Sequence, residues 1–102
     1  MRENIKQKYK EIFDEVDSKF IKKKNNLHFI NYILVKMPYK GYEEDKKNKT
    51  KDFSKESQDL IRYLQSRYHP DNYTYEDDEQ SQLNYCLIEY ISSYLDRMFD
   101  NF

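Results

Sequence analysis

The chain has no alanine and no tryptophan, and only one glycine, two prolines and one cysteine among its 102 residues. Each scarcity rules something out. A lone cysteine, Cys86, cannot form an internal disulfide, and no basic start followed by an apolar run marks a secretory leader, so a reducing, cytoplasmic setting is expected. The two histidines, His28 and His69, fall in different segments from each other and from Cys86, without the close ligand spacing of a zinc site; no metal is expected. The single Gly41 leaves no glycine-rich loop to cradle phosphate, and no nucleotide cofactor is expected. No apolar run approaches the ~20 residues needed to span a bilayer. The nearest, Phe29 to Val35, is short and is interrupted by Asn31.

Charge of one sign is also missing. Charged residues make up 36% of the chain, yet they nearly cancel to a net charge of -1, which argues against both a basic nucleic-acid binder and an acidic nucleic-acid mimic. What is abundant is lysine, asparagine, isoleucine and tyrosine, a bias typical of AT-rich genomes such as those of low-GC bacteria, their phages, large DNA viruses and some protozoa. The 11 tyrosines must either enter the core, where each hydroxyl needs a partner, or furnish a contact surface.

The spacing of apolar residues predicts one all-α domain over residues 1–102, a small bundle of about four helices. Ile5, Tyr9, Ile12, Phe13, Val16, Phe20 and Ile21 form one face of a first helix over roughly residues 3–24, closed by the solvated run Lys22-Lys23-Lys24. Asn25-Asn26 breaks the pattern. Leu27 to Met37 reads as a buried helix, with a strand as the alternative. From Pro38 to Phe53 the chain is charged and aperiodic, so a long mobile loop is expected. Ser54 is a candidate N-cap for a third helix with the stripe Leu60, Ile61, Leu64 and Tyr68, and Thr74 with Asp77 suggests a capping box for the last one. That last helix carries Leu83, Leu87, Tyr90, Ile91, Tyr94, Leu95 and Met98 towards Phe102.

The most informative stretch is the turn Tyr68-His69-Pro70-Asp71-Asn72 between the last two helices. Pro70 lacks an amide hydrogen and restricts His69 to extended backbone, while Asp71 and Asn72 readily shape a turn, so an ordinary helix linker accounts for these residue types. A basic helix bearing Arg62, Leu64, Arg67 and Tyr68, followed by His69-Pro70-Asp71 and a long helix, also resembles the J-domains that activate DnaK-type chaperones. The likeness covers about residues 54–95. It implies a helical hairpin over about 54–100 with Tyr85, Ile88 and Leu95 in its packing, His69, Pro70 and Asp71 as the activating loop, and Arg62 and Arg67 against an acidic chaperone surface. Arg62 and His69 separately resemble the Arg-x4-6-His motif of HEPN-type ribonucleases, which would place both on RNA across a dimer interface.

The combined expectation is a non-enzymatic protein-binding module with no cofactor and no membrane contact. Its specific form is a divergent J-domain. The rival is a small phage, viral or mobile-element inhibitor or adaptor that grips a host protein through tyrosines outside the apolar stripes, namely Tyr39, Tyr42, Tyr73 and Tyr75.

Overall fold

A computed structural model describes residues 2–21 and 26–101. Among them are five α-helices and no strand: α1 (Arg2–Val16), α2 (Asn26–Lys36), α3 (Tyr42–Asn48), α4 (Gln58–Arg67) and α5 (Glu79–Asp100). The fold is all-α as the periodicity predicts. None of the described helices is long and apolar enough to cross a membrane.

The longest helix, α5, is the spine. Its face Leu87, Ile88, Ile91, Tyr94, Leu95 and Met98 is buried and recurs at helical spacing. On one side α1 runs parallel to it, because Lys8 pairs with Glu79 at 2.9 Å while Asp17, further along the first helix, is reached by Tyr94, further along α5. On the other side α4 runs antiparallel, since the Arg62 guanidinium lies 5.8 Å from the Phe99 ring and Gln65 donates to Asp96 at 3.0 Å. Thus α4 covers the C-terminal half of α5. The N-terminal half is covered by the connection from α4, which lies along it as a strap: the Ser81 hydroxyl donates to the Thr74 carbonyl at 3.1 Å and Tyr75 meets Tyr85 edge-on at 5.4 Å.

The stripe of α4 is as the sequence predicts, with Leu60, Ile61, Leu64 and Tyr68 all within 1% of complete burial. Tyr68 then does more than fill space. Its hydroxyl donates to the Met37 carbonyl at 2.7 Å, and also reaches the Ile33 carbonyl at 3.3 Å, satisfying the open end of α2 from a different helix. Leu27 to Lys36 is helical rather than extended, with Met37 just past the helix end, and Phe29, Ile30, Ile33 and Leu34 form its buried face.

Several boundaries differ from expectation. The first helix is α-helical only to Val16 and continues as a π-helical turn over Asp17–Ile21. At that widening, the Asp17 carboxylate accepts from Tyr90 at 2.9 Å and from Tyr94. The expected lysine end, Lys22-Lys23-Lys24, with Asn25, lies outside the described residues, as do the side chains of Ile5, Tyr9, Phe20 and Ile21. The stretch Pro38 to Phe53, expected as an aperiodic loop, contains α3. That helix buries no residue; its ends carry the signal instead, with Gly41 in left-handed backbone (φ 99°) before it, Glu43, Glu44 and Asp45 in its first turn, and Lys46 and Lys47 in its last. The N-cap of α4 is Ser57, whose side chain accepts from Leu60 N, whereas Ser54 donates to Asp52 in a local turn. Asp78, not Thr74, caps α5, so the helix begins at Glu79 and leaves Thr74 in the strap.

Candidate functional site

The His-Pro-Asp turn leaves α4 at its C-cap, Tyr68, whose ring is anchored in the core. His69 is extended (φ -73°, ψ 133°), as the following proline requires, and Pro70 opens a single 3-10 turn over Pro70–Asn72. The turn is held by its own hydrogen bonds. Asn72 N donates to the His69 carbonyl and Tyr73 N to the Pro70 carbonyl, both at 3.0 Å, while the Asn72 amide reaches back to the Ser66 carbonyl at 2.8 Å. Imidazole Nδ1 of His69 accepts from Asp71 N at 3.1 Å, leaving Nε2 facing away from the backbone. The side chains of His69 and Asp71 are 54% and 88% exposed, with Nδ1 3.5 Å from the Asp71 carboxylate. A fixed backbone therefore presents one imidazole and one carboxylate to solvent.

The two arginines expected beside this turn do not form a common patch. Arg62 lies over Phe99, towards the far end of α5. Arg67 turns the other way, where it donates to the Tyr63 hydroxyl at 3.0 Å and its guanidinium sits 5.1 Å from the Tyr63 ring and 5.9 Å from that of Tyr39. Nor does the chain bring Arg62 to His69, whose ring is engaged with Asp71.

Behind Arg67 is a cluster the sequence did not reveal. Asp45 of α3 accepts from the Tyr63 hydroxyl at 2.5 Å and from Tyr39 at 2.7 Å. These two hydrogen bonds, assisted by the Arg67 charge, hold the Asp45 carboxyl below its ordinary range, and Arg67 is in turn held more basic by the Tyr63 hydroxyl. Burial, then the neighbouring Asp45, pushes the Tyr39 hydroxyl far up, so it remains a proton donor. The cluster ties α3 to the end of α4. Of its members, Tyr63 and Arg67 at i and i+4 are the one local signal in the sequence; Asp45 sits in a stretch without apolar pattern.

The four tyrosines expected at a contact surface occupy different environments. Tyr39 is corrected to a core residue: it is 2% exposed, packs edge-on against Tyr42, Tyr63 and Tyr68, and has no face left for a partner. Tyr42 is half-buried against Tyr39 and Phe53. Tyr73 is half-buried in the strap, where burial raises its hydroxyl pKa. Tyr75 is 50% exposed, the most exposed of the four.

Among the described residues no three His, Cys, Asp or Glu side chains gather into a metal-holding group, and Cys86 is half-buried. The groups that stand out are thus the exposed imidazole and carboxylate of the turn and the tyrosines of the strap. No family model, curated protein or solved structure matches the chain.

Proposed function

We infer that this chain is a non-enzymatic protein-binding module, a divergent J-type co-chaperone that offers the His69-Pro70-Asp71 turn to a DnaK-type chaperone in the cytoplasm of the producing or host cell. The observation that carries the reading is the presentation of this turn. Its backbone is fixed by Tyr68, Pro70 and Asn72, while the His69 and Asp71 side chains make their one mutual contact and otherwise face outward. A linker needs only the first property. An antiparallel helix pair packed at Gln65–Asp96 supports the turn, as the resemblance implies. Arg67 stands at its base as an exposed, oriented cation, and complementary charge of that kind steers the encounter more than it tightens the complex.

Affinity purification from the native host tests this reading. A DnaK-type chaperone should co-purify with the wild-type chain and be lost with His69→Gln or Asp71→Asn. Its retention by both variants, or its absence from the wild-type sample, would remove the assignment.

A second reading is favoured by the strap. Tyr75 is half exposed and Tyr73 lies beside it on an element that contributes little to the core, an arrangement suited to an inhibitor or adaptor of phage, viral or mobile-element origin that grips a host protein. A defence, replication or transcription protein recovered with the wild-type chain, and lost on Tyr75→Ala, is the outcome expected of that alternative.

A further inference from the structure

An open groove of about 600 Å³ lies between the turn that joins α2 to α3, the end of α4, the strap and the first turns of α5. Four separate chain segments build it. They bring Lys40 and Arg67 into one concavity with Tyr73, Asn84 and Tyr85.

Its functional groups have spare bonding capacity. Lys40 has no ion-pair partner, and the Tyr73 and Tyr85 hydroxyls have no hydrogen-bond partner, among the described residues. Gln80 donates one N–H to Asn84 Oδ1 at 3.0 Å, which orients the two amides on successive turns of α5, and among the described residues the Asn84 NH2 and the Gln80 oxygen are unused. Arg67 spends one donor on Tyr63 and keeps the rest. Asp78 also borders the groove, but its carboxylate is committed to capping α5 through Ser81 N at 2.8 Å.

We propose that this groove binds an extended peptide segment of a partner protein that carries an isolated acidic side chain. The Asn84 and Gln80 amides offer a donor and an acceptor, the pair a peptide unit needs. Tyr73 and Tyr85 supply ring surface that loses little rotamer freedom on binding. The carboxylate goes to Lys40 and Arg67, the latter already held in place by its aromatic neighbours. The exposed acid run Glu76 to Glu79 lies next to the groove and repels a polyanion, so nucleic acid and uniformly acidic chains are disfavoured. This site goes beyond the His69–Asp71 turn and uses none of its side chains.

Random-peptide phage display on the full chain tests the proposal. Selected peptides should be enriched in aspartate or glutamate. A fluorescein-labelled peptide synthesised from the selection should bind about threefold to tenfold more weakly to Lys40→Glu, the size of a reversed exposed charge pair, and more weakly to Asn84→Leu. Both positions are exposed, and circular dichroism of each variant confirms its fold. His69→Gln should bind the peptide like wild type, so failure of the groove and failure of the chaperone reading are separable. No selection above the starting library, selected peptides without acidic residues, or affinity unchanged in both groove variants would each overturn it.

Discussion

Replacing Tyr68 by phenylalanine removes a single oxygen from the centre of the fold and isolates what its hydrogen bond contributes. The ring stays, along with its edge-on packing against Tyr39 at 5.7 Å, so no large cavity opens. The Ile33 carbonyl keeps its bond from Met37 N at 2.8 Å, but the Met37 carbonyl loses the Tyr68 hydroxyl that reaches it at 2.7 Å. That bond is part-buried, and leaving its acceptor unpaired costs up to about 1–3 kcal/mol. For a domain of this size, each kcal/mol shifts Tm by about 4–8 °C, so a fall of roughly 5–20 °C is expected. Thermal and urea unfolding followed by circular dichroism measure it, with Tyr73→Phe as the control, since that hydroxyl has no partner among the described residues. A Tyr68→Phe stability within about 0.3 kcal/mol of wild type, the ordinary scatter between independent sites, would refute the claim that this hydroxyl joins α4 to α2.

Leu64→Ala, at a site with no exposure, should destabilise by about 2–5 kcal/mol in urea unfolding. The Asp45 carboxyl has a lower pKa folded than unfolded, so its stabilisation is complete above the unfolded value and lost as the pH falls through the folded one. The stability difference between wild type and Asp45→Asn, measured by urea titration, should therefore be largest near neutrality and shrink in acid. Tyr39→Ala should unfold the chain measurably, whereas Tyr75→Ala should leave its melting curve unchanged, as expected of a buried and a half-exposed ring. Purified protein should cleave no RNA; cleavage abolished by both Arg62→Ala and His69→Ala would instead require the two residues to meet across a dimer.

The elements legible in the sequence are those whose burial sets a period. The stripes of α4 and α5 are written in Leu60, Ile61, Leu64, Leu87, Ile91 and Leu95, all of which the core receives. What was not legible depends on partners distant in sequence. α3 has no buried stripe, because charges at its ends and the Asp45 cluster hold it, and the residues that bond Asp45 lie on other segments. Tyr39 follows Pro38 outside any stripe, yet it is buried because α4 brings Tyr63 and Tyr68 to it. The caps were displaced by neighbours of equal chemistry: Ser57 stands close to Ser54 and Asp78 close to Thr74, and tertiary packing decides which is used. At the candidate site, Pro70 and the extended His69 followed from local sterics, whereas the separation of Arg62 from Arg67 depends on which aromatic ring each one meets.

The central claim is that the turn after α4 is presented for a chaperone rather than used only to end a helix. Its most direct test is the steady-state ATPase rate of the DnaK-type chaperone from the cell in which the chain is made, with and without purified wild type, His69→Gln and Asp71→Asn. The account predicts a rate above basal with wild type and a basal rate with either variant, at unchanged helix content. Stimulation preserved in both variants, or absent with wild type, would contradict it and leave Pro70 and Asp71 as the parts of an ordinary turn.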